Sequence, residues 1–206
     1  MLLVHGMGRT PLSMWRLARS LRAAGLEPHQ FAYATAWQPV DRIVARLATR
    51  LKELSRNDYI VVGHSLGGVL LRAAIAQLGP DVRRPRRLIM LGSPNRSPRL
   101  ARRFARAWWY RLMNGDAGRL LADEARMARL PAASVPSTVI AGTRGINGRW
   151  SPFGGEPNDG LVAVIETQLD GMDAWITVPA RHPFIMNHRE VRELVISAAC
   201  PPALTP

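Results

Sequence analysis

Short runs of apolar residues alternate along the chain with longer stretches whose apolar positions recur at helical spacing. That is the pattern of repeated βα units around a parallel sheet. Met1–Val4 predicts a first strand, followed by a glycine turn at Gly6-Met7-Gly8. Pro11–Ala24 predicts a helix with Leu12, Trp15, Ala18 and Leu21 on one face, and Gln30–Tyr33 a short second strand. The clearest helix carries Val40, Ile43, Val44, Leu47, Ala48, Leu51 and Leu54 on one stripe at the i, i+3, i+4, i+7 spacing.

Further along, Tyr59–Gly63 is a continuous apolar run, expected for a strand buried on both faces. A helix follows from Leu66 to about Leu78 and is stopped by Gly79-Pro80. Arg87–Leu91, Thr138–Ala141 and Trp175–Val178 predict three more strands. The last helix covers about Asn187–Ala199, with Val191, Leu194, Val195 and Ala198 on its buried side, before Cys200 and Pro201-Pro202. Two segments break the alternation: Arg96–Leu130, rich in arginine and aromatics, and Gly142–Gly160, a Gly/Pro/Asn loop with Trp150 and Phe153. The expected architecture is α/β, a mostly parallel sheet of about six strands with helices on both faces. Neither a repeat nor a linker divides residues 1–206, so one domain is expected, with 96–130 as a short helical cap inserted in it.

Composition adds limits. A chain of 206 residues buries roughly 70% of its unfolded surface and needs no staple. The lone cysteine, Cys200, excludes an internal disulfide and any paired-cysteine metal or redox motif. The net charge of +13 raises the question of an anionic partner. Its cations are almost all arginines spread from Arg9 to Arg192, with Lys52 the one lysine, which fits a solvated surface equally well. No binding module suggests a nucleic-acid partner. No apolar run approaches the roughly 20 residues of a membrane span. Because Met1–Val4 is already a core strand, the chain leaves no room for a signal peptide, and the expected location is cytoplasmic. An anchor upstream of Met1 is the alternative.

The chemistry concentrates at Gly63-His64-Ser65-Leu66-Gly67. This is a GxSxG sequence lying between a buried strand and a helix, the setting in which a serine is lifted above the sheet as a nucleophile. The helix that starts there aims its N-terminal N–H groups at developing negative charge. Adjacent residues at a sharp turn diverge, so His64 is expected to pack or hydrogen-bond rather than serve as base. An oxyanion needs two N–H donors; the Leu66 amide is one, and the loop His5-Gly6-Met7-Gly8 offers the other through Met7. With an elbow of this kind the acid and then the histidine follow the serine in chain order. Only His182 and His188 lie downstream. His182 falls just beyond a strand, whereas His188 opens the last helix. For the acid, Asp159 sits in the turn Asn158-Asp159-Gly160 that Leu161-Val162 tie to the core; Glu156, Asp170 and Asp173 are the alternatives.

Taken together, Leu3-Val4-His5-Gly6-Met7-Gly8, Gly63-His64-Ser65-Leu66-Gly67-Gly68, Leu91-Gly92-Ser93-Pro94, Asp159-Gly160 and His182 resemble small bacterial lipases and esterase/lipase-like members of the α/β-hydrolase superfamily. The resemblance covers nearly the whole chain. It implies the α/β-hydrolase fold, a triad of Ser65, Asp159 and His182, and an oxyanion hole from the Met7 and Leu66 amides. The interval from the aspartate-glycine pair to the histidine is similar to that of minimal, lidless lipases, which favours His182 over His188. The expected activity is cleavage of a small-molecule or lipid carboxylic ester through an acyl-enzyme on Ser65, without cofactor or metal. The alternatives are a thioesterase or acyltransferase with the same triad, or a non-catalytic relative that binds lipid or a partner.

Residues 96–130 depart from the minimal pattern, being longer and more basic. Phe104, Trp108, Trp109, Leu112 and Met113 interleave there with Arg99, Arg102, Arg103, Arg106 and Arg111. Trp108, Trp109 and Met113 are candidates for the substrate pocket or for the cap. An aromatic face beside a cationic one also suits peripheral contact with an anionic membrane, although packing of the aromatics onto the domain explains it as well.

Overall fold

The computed structural model describes residues 1–149 and 151–200. Trp150, Pro201 and Pro202 lie outside the described residues, as does the side chain of Arg111. Six strands form one sheet: β1 (Leu2–Val4), β2 (His29–Phe31), β3 (Val61–His64), β4 (Leu88–Leu91), β5 (Ser137–Gly142) and β6 (Ala174–Val178). Their spatial order is β2-β1-β3-β4-β5-β6, and every neighbouring pair is parallel. The chain leaves β1 for β2 on one side and then crosses to β3 on the other. Open α/β sheets bind ligands at such a reversal, beyond the carboxyl ends of the strands.

Alternation within the strands divides the core into two layers. Leu2, Val4, Val61, Leu88 and Met90 face one side, where they pack with α2 (Val40–Leu54) and α3 (Leu66–Ala76). Leu3, Val62, Ile89, Leu91 and Ile140 face the other, against α1 (Trp15–Ala23) and a late helix, Arg189–Ala199. The stripe predicted for α2 is the buried one: Val40, Ile43, Val44, Leu47 and Leu51.

The face predicted for the first helix is corrected. Pro11–Met14 forms a 3₁₀ turn ahead of α1, and its three residues per turn rotate the stripe away from α-helical spacing. Met14, Leu17, Ala18 and Leu21 are buried in consequence, whereas Leu12 and Trp15 are exposed. The second strand likewise ends at Phe31. Tyr33 is buried beyond it, stacked on His5 with ring centroids 4.2 Å apart, and its hydroxyl donates to the His5 carbonyl at 2.6 Å.

Between β4 and β5 lie α4 (Arg99–Phe104), α5 (Trp108–Ala122) and α6 (Glu124–Ala128). No continuous helix carries the arginine-aromatic pattern. Residues 105–107 separate α4 from α5, and Gly115, at φ 53° and ψ −138°, kinks α5. The kink brings Gly115 against the carbonyls of Thr35 and Ala36. Ala101, Tyr110, Leu120, Leu121 and Met127 thereby reach the core, while Trp108, Leu112 and Met113 face solvent. Asp116 ties this layer to α2 by accepting the Val40 amide at 2.9 Å, and it pairs with Arg126 at 3.0 Å. The late helix becomes α7 (Arg189–Ala199). Among the described residues no helix is long and apolar enough to cross a membrane.

Candidate active site

Strand β3 delivers Ser65 to the carboxyl edge of the sheet. Its ladder runs into the turn, with the Ser65 amide donating to the Leu91 carbonyl at 2.9 Å. Ser65 then takes φ 52° and ψ −124°, the one non-glycine residue with positive φ among those described. That conformation costs a serine about 1–3 kcal/mol and persists where its surroundings over-determine it. The flanking glycines do so by close approach. A Cβ on Gly63 would overlap the backbone of Gly67 and Gly68, and one on Gly67 the carbonyls of Val4 and His5. The start of α3 is thus pressed against the end of β1, which the GxSxG spacing permits and larger residues would forbid.

His182 stands over Ser65. It begins a 3₁₀ turn, His182–Asn187, four residues beyond β6. Its Nε2 lies 2.9 Å from the Ser65 hydroxyl and its Nδ1 2.6 Å from Asp159 Oδ2. With Nδ1 donating to the carboxylate, Nε2 is left to accept the hydroxyl proton. Asp159 is buried and itself held. Its Oδ1 accepts the Leu161 and Val162 amides at 3.0 and 2.8 Å, and its carbonyl accepts the His182 amide at 2.9 Å. Asn158, fully buried beside it, bonds Asn147, Ile146, Glu156 and Gly160 and so pins the loop.

The other candidate acids are engaged elsewhere or lie apart. Glu156 pairs with Arg99 at 2.6 Å, and Asp173 accepts the Ser137 amide; Asp170 is exposed. His188 precedes α7, half-buried, with no side-chain bond to the helix end.

Met7 and Ser65 line one small apolar cavity together with His182. Leu66 is the first residue of α3, where backbone N–H groups have no partner within the helix. Trp108, Trp109 and Met113 do not line that cavity; 75%, 42% and 66% exposed respectively, they turn outward because the break before α5 and its kink present Tyr110 to the site instead. Phe104 does line it, with Trp109 packed on its outer side at 5.4 Å between ring centroids.

Two contributions escape the sequence pattern. Gly92, at φ 57°, approaches the acid-histidine pair so closely that a Cβ there would lie 3.1 Å from Asp159 Oδ2 and 3.2 Å from His182 Nδ1. Its position after a strand in Gly92-Ser93-Pro94 was the only signal. His64, fully buried, donates Nε2–H to the His182 carbonyl at 3.0 Å across 118 positions of sequence, a contact that no local spacing encodes.

Burial, with the nearby His182 ring second, holds the His64 pKa well below its ordinary value of 6.5. The folded protein therefore keeps this ring neutral, while the unfolded chain takes up a proton as the pH falls through 6.5. Native stability is unaffected above that pH and is lost below it, by up to about 1.4 kcal/mol per pH unit for this group. Denaturant unfolding between about pH 7.5 and pH 5 should show that decline, and His64→Gln should make it shallower. Equal slopes for the two proteins would count against the assignment.

A model of the alpha/beta hydrolase family matches residues 1–204. No curated protein matches the sequence. Among solved structures, the chain is similar to the mature form of lipase BlEst2 from Bacillus licheniformis, at 20% identity and a TM-score of 0.78, over 96% of this chain and 90% of that one. It is similar also to phospholipase PlaB from Legionella pneumophila, at 13% identity and a TM-score of 0.76, over 95% of this chain and 58% of that one. The Vlm2 thioesterase domain aligns at 20% identity with a TM-score of 0.60, over 97% of this chain and 92% of that domain. At these identities the likeness is one of fold.

Proposed function

The chain belongs to the alpha/beta hydrolase family, and on that footing we propose that it cleaves carboxylic esters through an acyl-enzyme on Ser65. The observation that carries the proposal is the single imidazole, His182, bridging Ser65 Oγ at 2.9 Å and Asp159 Oδ2 at 2.6 Å. Both distances fall within the reach required for proton transfer and for orienting the base.

In this mechanism the Ser65 oxygen attacks the ester carbonyl while His182 Nε2 takes its proton. Asp159 holds the ring in the tautomer that leaves Nε2 free and stabilises the imidazolium once it forms. The amides of Met7 and Leu66 receive the negative charge on the carbonyl oxygen. His182 then returns the proton to the departing alcohol, which leaves an acyl group on Ser65. Water then attacks the acyl carbon as His182 takes its proton, and His182 passes that proton to the Ser65 oxygen as the acyl–serine bond breaks and the carboxylic acid leaves. Helices α4 to α6 act in this proposal as a cap over the acyl group.

A thioester reading shares every step up to the leaving group, and the likeness to a thioesterase domain favours keeping it in view. A fluorophosphonate probe followed by paired nitrophenyl-ester and acyl-thioester substrates tests both. The expected result is one label per chain, lost in Ser65→Ala, with faster turnover of the esters. Thioester turnover exceeding ester turnover would shift the activity to thioesters. A purified protein that neither takes the label nor turns over either substrate would sink the catalytic reading in favour of a binding protein.

A further inference from the structure

The apolar cavity at Ser65 is small, about 140 Å³. An apolar cavity of roughly 150 Å³ holds a benzene-sized guest, whereas pockets for drug-sized ligands run to roughly 300–1,000 Å³. Leu100, Ala101, Phe104, Leu121 and Val162 form walls with no charged group among them, and Tyr110 completes them. Across Tyr110 opens a second, wider groove of about 610 Å³, and that one is charged, with Arg102, Arg119, Asp123 and Glu124 at its surface. Tyr110 borders both spaces. Its ring is packed: the residue is 8% exposed, Trp109 meets it edge-on at 6.1 Å between centroids, and a Cβ on Gly118, which lines the wider groove, would lie 3.1 Å from its Cε1.

We propose that Tyr110 is the partition that sets the acyl length, so that the enzyme takes short acyl groups, of about six carbons or fewer. The proposal rests on the acyl-enzyme reading above and gives its substrate class. Each methylene buried against the apolar walls strengthens binding roughly fourfold. That gain reverses where the ring begins, because a longer acyl chain on Ser65 must displace a packed aromatic, and overpacking costs more than the added methylenes return. Removal of the ring would join the two spaces and allow additional methylenes to be covered, although against charged walls that return less per carbon.

The test is a nitrophenyl-ester series from acetyl through butyryl and octanoyl to palmitoyl on the full chain. For the parent protein, kcat/KM should peak at or near butyryl and fall by about tenfold or more at octanoyl. Tyr110→Ala should raise the octanoyl-to-butyryl ratio about tenfold, and Tyr110→Phe should leave that ratio where it was. Ala101→Leu, which narrows the cavity from another lining residue, should lower the butyryl-to-acetyl ratio and carries the test if Tyr110→Ala fails to fold. Palmitoyl turnover equal to butyryl in the parent, or ratios unmoved in the Tyr110→Ala and Ala101→Leu proteins, overturns the partition. Fluorophosphonate labelling of the same samples separates the causes. Labelled protein with a flat series loses only the partition, whereas protein without label or turnover loses the acyl-enzyme and the partition together.

Discussion

Ser65→Ala is expected to abolish ester hydrolysis and to leave the protein folded. The hydroxyl is bonded to His182 Nε2 at a partly exposed position that lines the cavity, so a water can take its place against the ring nitrogen. The positive φ of the elbow is as costly for alanine as for serine, and the variant neither gains nor loses strain there. On the acyl-enzyme proposal what remains is the oxyanion hole, the cavity and the binding they provide, which in serine hydrolysis supply roughly 10³–10⁴-fold acceleration over water. Initial rates on a nitrophenyl ester, with circular dichroism and a denaturant titration alongside, check both halves of the expectation. Turnover close to that of the parent would end the assignment of Ser65 as nucleophile.

The second large effect separates the two downstream histidines. His182→Ala should cost nearly as much activity as Ser65→Ala, and the double variant should be no worse than either, because residues acting as one unit lose their function together. His188→Ala should cost little. Its ring neither caps α7 nor borders the Ser65 cavity; it lies instead in a surface groove with Arg144, Arg181 and Phe184. Rates for the two single variants and the Ser65→Ala/His182→Ala pair decide the matter. An active His182→Ala protein beside an inactive His188→Ala protein would reverse the identity of the base.

Much of this arrangement is legible in the chain because it is enforced locally. The strands read out as apolar runs since both faces of the sheet are covered, and the elbow reads out because Gly63 and Gly67 are required by contacts within a few residues of Ser65 or at the end of β1. Asp159 stands out in an Asn-Asp-Gly turn whose amides it binds, again a matter of three or four positions. Position within the fold is harder to read. Leu12 and Trp15 fit an α-helical stripe, yet a 3₁₀ turn rotates them into solvent. The aromatics between β4 and β5 look alike in sequence, but one kink at Gly115 and one break before Trp108 decide that Phe104 and Tyr110 border the serine while Trp108 does not. The bond from His64 to the His182 carbonyl depends on the docking of two loops and leaves no periodic trace.

The chain order of the site also bears on when the protein becomes competent. The turn after β1 and the serine elbow lie in the first third of the chain, whereas the histidine follows the edge strand β6, 117 positions after Ser65. Contacts across such separations form slowly, because the intervening chain must be ordered before the contact rewards it. A chain emerging from synthesis thus carries Ser65 long before the His182 ring can reach it. On the acyl-enzyme proposal, the reactivity of Ser65 is withheld until β6 has docked on β5 and the last turns have closed over the sheet, so an incompletely folded chain would be chemically silent toward esters.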